Sequence, residues 1–236
     1  MSEVILKVAG ISAGYGGENV VHDIDFDVVR GEAITIIGSN GAGKSTLFRA
    51  IVALLRPGKG SVSFKGEEIS GLSTHQISRR GLAYVPAERH LFPEMTVREN
   101  LLLGAYPRRA DPEIEAMVYE LFPRLTERRR QHAGTMSGGE QQMLAVARSL
   151  MSDPTVLMLD EPTTGLAPRL ASEAYEALGR LRDTGLTLVV AEQQVPLALR
   201  LASRGFVIEN GRFELAGTSA ELASNPAVQR AYLGVA

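Results

Sequence analysis

The 236-residue sequence contains no cysteine and no tryptophan, and it has only four histidines. Without cysteine the chain can form neither a disulfide framework nor a thiolate metal site. The four histidines show no spacing typical of metal ligands. The fold therefore has to rest on a hydrophobic core, for which a chain of this length with 44% hydrophobic residues is sufficient.

Long apolar runs and a large net charge are also missing. The longest apolar runs are short, such as Leu186 to Ala191, whereas a membrane-spanning helix needs about 20 residues. The first residues, MSEV, lack the basic and apolar segments of a secretory signal. A formal net charge of −2 argues against a nucleic-acid-binding protein, which usually carries a basic excess. We expect a cytoplasmic protein that binds no nucleic acid and reaches a membrane only by docking onto other subunits.

Strand and helix patterns alternate in two parts of the chain. Apolar segments at Ala33–Ile37, Thr155–Leu159 and Leu186–Ala191 are typical of strands buried on both faces of a parallel sheet. Helices are expected at Lys44–Leu55 and Ala167–Asp183, directly after the first two of these strands. The alternation predicts an α/β core.

Further strands are expected on both sides of this core. Val20–Val29 and Ser61–Lys65 have strand patterns near the N-terminus. Phe206–Glu209 and Arg212–Leu215 are expected to form a hairpin around a type I′ turn at Asn210-Gly211.

Strand signals vanish between residues 87 and 154, where helix starts take their place. Capping boxes are expected at Thr96 with Glu99 and at Ser137 with Glu140, and Asp111-Pro112 opens another helix. A further box at Thr218 caps the last helix. We expect a single domain over residues 1–236, with a core of about 1–86 and 155–236 and a helical subdomain of about 87–154.

A glycine-rich segment connects the first buried strand to its helix. Residues 38–45 read GSNGAGKS and fit the pattern G-x-x-x-x-G-K-[ST]. Glycines let the backbone curl so that its N–H groups and the helix N-terminus bind phosphate. Lys44 is placed to reach the β- and γ-phosphates, Ser45 to bind Mg2+ and Thr46 to contact the α-phosphate. The alternative, a glycine-rich turn without function, is disfavoured by the strand–helix context.

Two carboxylates, Asp160 and Glu161, end the second buried strand. The carboxyl ends of parallel strands face the crevice where such sheets bind ligands. Asp160 suits Mg2+, held through water, because this ion keeps much of its hydration. Glu161 points elsewhere and can polarise the attacking water. An acidic pair at a strand end is common, and it becomes informative through the phosphate loop upstream.

Residues 136–142 read MSGGEQQ and begin a helix at Gly138. Ser137 caps this helix, and Gly138 and Gly139 leave backbone N–H groups uncovered at its N-terminus. Such a terminus can bind an anion. Because the chain already has a phosphate loop, a second terminus of this kind suggests a site completed by another subunit. By spacing alone, an ordinary capped helix would be the simpler interpretation.

The phosphate loop, the S-G-G signature and the Asp-Glu pair, in this order, resemble the ATP-binding cassette (ABC) family over essentially the whole chain. The resemblance implies an α/β P-loop NTPase (RecA-like) core with an N-terminal antiparallel β subdomain and an inserted α-helical subdomain. It also implies ATP and Mg2+ as ligands. In the family, each ATP lies between the phosphate loop of one chain and the signature helix of another.

The resemblance assigns roles to matching positions. The catalytic positions of the family correspond to Glu161, Lys44 and Gln193, and its metal-binding positions correspond to Ser45 and Asp160. Tyr15 stands where the family places an aromatic ring that stacks on adenine; the alternative is a partly buried tyrosine at a strand end. The positions expected to contact nucleotide are Tyr15, Gly38, Asn40, Gly41, Gly43, Lys44, Ser45, Thr46 and, on the partner's ATP, Ser137, Gly138 and Gly139.

Three positions depart from the common family pattern. Ala87 replaces a glutamine that senses Mg2+ and the γ-phosphate, with Glu88 beside it as a candidate substitute. Gln193 stands where many relatives have a switch histidine; it can hydrogen-bond a phosphate but carries no charge. Ala167 replaces an aspartate that usually crosses the dimer. These departures favour one member of an unequal pair, and they leave open whether the isolated chain is a monomer or a homodimer.

Several local sequences are similar to the LivF-type ATP-binding subunit of branched-chain amino-acid importers. They are MSGGEQQML at 136–144, ELFPRL and ERR within 120–129, GLAP at 165–168, the Glu-Gln pair at 192–193 and AYLG at 231–234. The resemblance implies a second ATPase as heterodimer partner, two permease subunits, a periplasmic binding protein and a place on the inner face of the cell membrane. In that family the segment around 91–96 receives a short permease helix, although Leu91 and Phe92 are equally consistent with ordinary core.

Three other functions stay open at this point. The chain could be the ATPase of a related urea or amide importer, a soluble ABC ATPase of the iron–sulfur assembly type, or a nucleotide-binding regulator without useful turnover. The presence of Glu161 counts against the regulator. DNA-repair members usually carry long insertions and metal-binding cysteines, and this sequence has neither.

Overall fold

The computed structural model describes residues 3–233. Gly234, the last residue of the AYLG segment, lies outside the described residues, as do Met1 and Ser2 of the N-terminal MSEV segment. Within 3–233 the chain forms two β-sheets and, inserted between two strands of the larger sheet, a group of helices.

The smaller sheet is antiparallel and comes from the N-terminal part of the chain. Its strands lie in the order β2 (Glu18–Val29), β1 (Val4–Tyr15), β4 (Lys59–Phe64) and β5 (Glu67–Glu68). In β2 the buried Phe26 and Val28 alternate with the more exposed Asp25 and Asp27, as the period of two predicts.

The larger sheet has six strands, five of them parallel. They lie in the order β10 (Arg212–Thr218), β9 (Arg204–Glu209), β3 (Ala33–Ile37), β8 (Thr187–Glu192), β7 (Val156–Asp160) and β6 (Leu82–Val85), with β10 antiparallel to β9. Every residue of β3, β7 and β8 is buried, as expected from their apolar sequences. The φ angles of 46° at Asn210 and 75° at Gly211 agree with the predicted type I′ turn.

The helices follow the capping signals closely. They are α1 (Lys44–Ile51), α2 (Thr74–Arg79), α3 (Val97–Gly104), α4 (Pro112–Leu121), α5 (Pro123–Glu127), α6 (Gly138–Leu150), α7 (Pro168–Asp183), α8 (Val195–Leu201), α9 (Ser219–Ser224) and α10 (Pro226–Val228). Capping boxes are present at Thr96, Ser137 and Thr218, and Asp111 caps α4. In the part of the chain that the structure describes, no helix is both long enough and apolar enough to span a bilayer.

Helices occupy the segment between β6 and β7. Here the described chain contains α3 to α6, a short 3-10 turn and a single antiparallel bridge between Thr96 and His132, but no strand. Leu101 of α3 and Leu144 of α6 are fully buried and belong to the same apolar cluster as Leu159 of β7. The inserted helices therefore share a core with one face of the larger sheet.

The opposite face of the larger sheet packs against α1 and the smaller sheet. Ile36 of β3, Phe48 of α1 and Ile24 of β2 are fully buried in one cluster. Because α1 follows β3 directly, its N-terminus lies at the carboxyl edge of the parallel strands.

Candidate nucleotide-binding site

The phosphate loop, residues 38–45, turns from β3 into α1 at this carboxyl edge. Gly41 and Gly43 have φ angles of 81° and 110°, which L side chains rarely adopt. A Cβ on Gly38 would lie 2.7 Å from the carbonyl oxygen of Ile208. Gly43 is the N-cap of α1, and no side chain of the described residues caps it. The first N–H groups of α1 are therefore available to a phosphate.

The side chain of Lys44 folds back over the preceding residues of the phosphate loop, and only 3% of it is exposed. Its Nζ donates to the carbonyl oxygens of Gly38 at 2.8 Å and Ser39 at 2.9 Å. It also lies 3.0 Å from Oε1 of Glu161. The structure therefore brings the phosphate-loop cation and the acidic pair together, as the sequence predicts.

Asp160 has the features of a Mg2+ ligand. It is 1% exposed, and its Oδ2 accepts a hydrogen bond from Tyr84 Oη at 3.1 Å. Its Oδ1 is buried and has no hydrogen-bond partner among residues 3–233. Burial raises the pKa of Asp160, and the hydroxyls of Ser45 and Tyr84 reduce this effect. An unpartnered buried acceptor close to Ser45 fits Mg2+, which takes a few protein oxygens and completes its shell with water and phosphate.

No cluster of three or more His, Asp or Glu side chains within residues 3–233 could hold a metal by itself. The ion would therefore depend on the oxygens of a bound nucleotide as well as on Ser45 and Asp160. Such dependence is typical of Mg2+ at phosphate-transfer sites.

Glu161 leaves the strand in a different direction from Asp160. Its φ of 47° is left-handed, so the chain turns sharply at this residue. Its Oε1 pairs with Lys44, and its Oε2 accepts a hydrogen bond from Thr164 Oγ1 at 2.9 Å. The carboxylate is thus held beside the phosphate loop, where a general base for an attacking water belongs.

Gln193 follows β8 at the same edge of the sheet and is exposed. In register, Glu192 lies opposite Ile37, the residue that precedes the phosphate loop. Ala191 lies opposite Asp160 on the other neighbouring strand. The five residues predicted to be catalytic or to bind the metal ion therefore follow or end three adjacent strands; they are Lys44, Ser45, Asp160, Glu161 and Gln193.

Tyr15 and Glu88 meet at one arginine of α1. Arg49 donates to Tyr15 Oη at 3.4 Å and forms a 2.8 Å ion pair with Glu88. Tyr15 is half exposed at the end of β1. Glu88, the candidate substitute for the glutamine missing at Ala87, makes no hydrogen bond to Ser45 or Asp160 within the described residues. Stacking of adenine on Tyr15 stays a prediction.

The signature residues lie in the helical insertion. The capping box is complete, because the N–H of Ser137 donates to Glu140 Oε2 at 3.0 Å and Ser137 Oγ accepts from the N–H of Glu140. Ser137 and Gly138 are exposed, whereas Gly139 packs on Leu170. No hydrogen bond or ion pair between residues 3 and 233 connects this helix start with the phosphate loop.

The sequence reasoning did not identify Tyr84, Arg49 or Glu192 as part of the site. Tyr84 reaches Asp160 because β6 pairs in parallel with β7, which places Tyr84 opposite Met158. Tyr84 carries the only side-chain hydroxyl in the otherwise apolar strand β6, and this feature could have marked it in the sequence. A charged side chain likewise marks Glu192 at the end of β8.

Known proteins resemble this chain over its whole length. The profile of the ABC transporter family matches residues 21–164, more than half of the chain. The high-affinity branched-chain amino acid transport ATP-binding protein BraG of Pseudomonas aeruginosa is 46% identical over 98% of this chain and 100% of its own length. The probable branched-chain amino acid transport ATP-binding protein LivF of Archaeoglobus fulgidus is 35% identical, covering 98% of this chain and 99% of its own length. The chain belongs to the ABC transporter family, as its motifs predict.

A solved structure agrees with this assignment. The ADP conformation of an ATP-binding cassette from an ABC transporter matches with a TM-score of 0.85 and 26% identity, over 99% of this chain and 100% of the other. The predicted fold class is confirmed. The chain is thus an ATP-hydrolysing subunit of a transporter.

Proposed function

We propose that the chain hydrolyses Mg-ATP to energise an importer of branched-chain amino acids. The observation that carries this proposal is the similarity to BraG over 98% of this chain and the whole of BraG. Both named relatives serve branched-chain amino acid transport, which favours these solutes over urea or amides and over a role in iron–sulfur assembly. The solute itself would contact other subunits, so its identity rests on the relatives.

Each residue of the site then has a part in hydrolysis. The N–H groups of the loop around Asn40, Gly41 and Gly43 bind the triphosphate, and Thr46 contacts the α-phosphate. Lys44 exchanges carbonyl contacts for the β- and γ-phosphates. Ser45 and Asp160 would hold Mg2+, and the charge that this ion would supply there is the kind that stabilises a transferred phosphoryl group.

The remaining roles concern the attacking water, the γ-phosphate and the adenine ring. Glu161 takes a proton from the attacking water, and Thr164 and Lys44 hold its carboxylate in place. The amide of Gln193 donates to the γ-phosphate. The ring of Tyr15 stacks on adenine, with Arg49 holding its hydroxyl.

The partner would be a second ATPase subunit. The start of α6, where Ser137 and Gly138 are exposed, is suited to the γ-phosphate of an ATP held by another chain. Alanine at positions 87 and 167 cannot supply the polar groups usual there, so an unequal partner is favoured over an identical copy. Residues 87–154 would move as the subdomain that carries this signature, relative to a core of 1–86 and 155–236.

The helical insertion would also face two permease subunits on the inner side of the membrane. Phe92 is 51% exposed. Asn100, fully buried, fixes the segment around it: its Oδ1 accepts from the N–H of Phe92, and its Nδ2 donates to the carbonyl oxygens of Phe92, Met95 and Thr96. A rigid segment with an outward phenyl ring is suited to receive a short helix. A periplasmic binding protein would act on the permeases and not on this chain.

Two substitutions test the hydrolytic site. Glu161→Gln should keep ATP affinity, lose at least about 100-fold in turnover and accumulate as an ATP-bound dimer with the partner ATPase in size-exclusion chromatography. Lys44→Ala should lose ATP binding in a fluorescent-nucleotide titration. Wild-type turnover in the first variant would remove Glu161 from catalysis, and wild-type affinity in the second would mean that the phosphate loop is misassigned.

Uptake of labelled solutes tests the transport function. Cells that lack the gene should lose uptake of leucine, isoleucine and valine, and the wild-type gene should restore it while Glu161→Gln should not. Loss of urea uptake with normal leucine uptake would overturn the proposed solute.

A further inference from the structure

Glu192 ends β8 and is 1% exposed, and none of the roles above uses its side chain. Four donors converge on its two oxygens. Oε1 accepts from the N–H of Thr163 at 3.3 Å and from Thr163 Oγ1. Oε2 accepts from the N–H of Gln193 at 2.8 Å and of Gln194 at 3.0 Å. This pattern is that of an acceptor-only carboxylate.

The two oxygens serve two different segments of the site. Oε2 fixes the backbone from which the side chain of Gln193 extends. Oε1 fixes Thr163, whose neighbour Thr164 donates to Oε2 of Glu161 at 2.9 Å. The consecutive threonines therefore face opposite ways, one toward buried Glu192 and the other toward the candidate base. One buried carboxylate joins the segments that follow β7 and β8.

We propose that Glu192 is a positioning residue that aligns Glu161 and Gln193 for hydrolysis without touching the nucleotide. This inference rests on the proposed roles of Glu161 and Gln193. A buried acceptor with four donors has few alternative arrangements, because a rotation of the carboxylate leaves N–H groups unpaired unless it is the half-turn that exchanges the two equivalent oxygens. Both segments are therefore held in one geometry relative to each other.

Two other buried polar side chains lie beside Glu192. Tyr175 of α7 is nearby with its hydroxyl buried and unpartnered among residues 3–233. Burial and the charge of Glu192 raise the pKa of Tyr175 well above its ordinary value, so it stays a neutral phenol. Thr163 is fully buried as well.

Glu192→Gln is the direct test, because the amide has the same shape but only one accepting oxygen. One of two sets of donors must then lose its acceptor: either the N–H and hydroxyl of Thr163, or the N–H groups of Gln193 and Gln194. We expect kcat to fall about tenfold while the KM for ATP and the ATP affinity change less than about twofold. Combined with Gln193→Ala, kcat should fall by less than the product of the two single reductions. An unchanged kcat, or an equal loss in kcat and ATP affinity, would overturn the proposal.

Glu32→Gln is the matched control. Glu32 lies at the amino edge of the same sheet and also accepts several hydrogen bonds, from the N–H of Val29, from Ser203 and from Arg204. It should lower the melting temperature without changing kcat. A fall in kcat equal to that of Glu192→Gln would mean that any hydrogen-bonded carboxylate beside the sheet has this effect, and would overturn the proposal.

Thr163→Val decides the matter if Glu192→Gln does not fold. It removes the hydroxyl but keeps the N–H that donates to Glu192, and kcat should fall about threefold at unchanged KM. Wild-type kcat in Thr163→Val would then reject the inference. Full turnover in Glu161→Gln would reject the proposed role of Glu161, on which this inference rests. An inactive Glu161→Gln together with a fully active Glu192→Gln would reject only the role of Glu192.

Discussion

At the scale of single residues, Tyr84 contributes to the site through Asp160. Its hydroxyl donates to Oδ2, so the other carboxylate oxygen is the one left without a partner among the described residues. Burial, together with the charge of Asp160, raises the pKa of Tyr84, and the phenol therefore remains a donor throughout the physiological pH range. The hydrogen bond therefore determines which oxygen of Asp160 would be available to the proposed Mg2+ ion.

Tyr84→Phe should weaken the response to Mg2+ more than the response to ATP. Without the hydroxyl, Oδ2 of Asp160 loses its donor and the carboxylate can rotate, so the Mg2+ concentration for half-maximal turnover should rise about three- to tenfold. Turnover measured against Mg2+ at saturating ATP checks this. Tyr106→Phe, at a tyrosine that is 78% exposed, serves as the control. An identical Mg2+ curve for Tyr84→Phe would show that Asp160 needs no such support.

The residues that the sequence could predict are those that stand together in a motif. Gly38 to Ser45 and the pair Asp160-Glu161 are contiguous, and their chemistry follows from their order. Tyr84 and Asp160 are 76 positions apart, and Thr163 and Glu192 are 29 apart. Their contacts depend on which strands are neighbours, and a pattern within one strand does not contain that information.

At the scale of elements, α7 differs from the capped helices α3, α4, α6 and α9. Its N-cap is Ala167, with φ −61° and ψ 146°, and no side chain caps it among residues 3–233. These angles are those of a normal N-cap, so the backbone would accept a capping residue without change. Pro168 already supplies the favourable first helical residue.

Ala167→Asp should therefore stabilise the chain. A carboxylate at this position can accept from the first free N–H groups of α7 and interacts favourably with the helix dipole, which together contribute about 1 kcal/mol. For a chain of this size the melting temperature should rise by about 2–4 °C, measured by circular dichroism. Ala167→Val, which cannot cap, should give no gain. A decrease in stability with Asp would mean that the start of α7 is not free to be capped.

Helix boundaries show where element prediction failed and why. The helix expected at Lys44–Leu55 ends at Ile51, because the chain turns into a left-handed conformation at Ala53, with φ 56°. The helices α2 and α8 and the strand β6 were not expected. They have six, seven and four residues, which is too short for either hydrophobic period to be recognised.

At the scale of the whole molecule, the sequence predicts the layers but not their order. Buried apolar strands, alternating N-terminal strands and a strand-free middle segment give the two sheets and the inserted helices. The order β9-β3-β8-β7-β6 joins strands that are distant in the chain, and parallel crossovers leave no local turn signal. That order nevertheless creates the site, because it places the ends of β3, β7 and β8 side by side.

Gly138→Ala tests whether the two helix starts that we propose to bind phosphate, those of α1 and α6, serve different nucleotides. A Cβ there would approach only the end of the Arg89 side chain, at 3.2 Å, so the fold should tolerate it. In the Glu161→Gln background the added methyl should weaken ATP-dependent association with the partner ATPase at least tenfold, roughly 1.4 kcal/mol. The reason is that the methyl would cover the backbone N–H groups at the start of α6 that we propose to bind the partner's γ-phosphate. The affinity of the chain's own phosphate loop should not change. Gly71→Ala, exposed and without neighbours within 4 Å, is the control for the substitution itself. If Gly138→Ala lowered the chain's own ATP affinity and left association intact, the signature helix would have to act on the ATP of its own subunit.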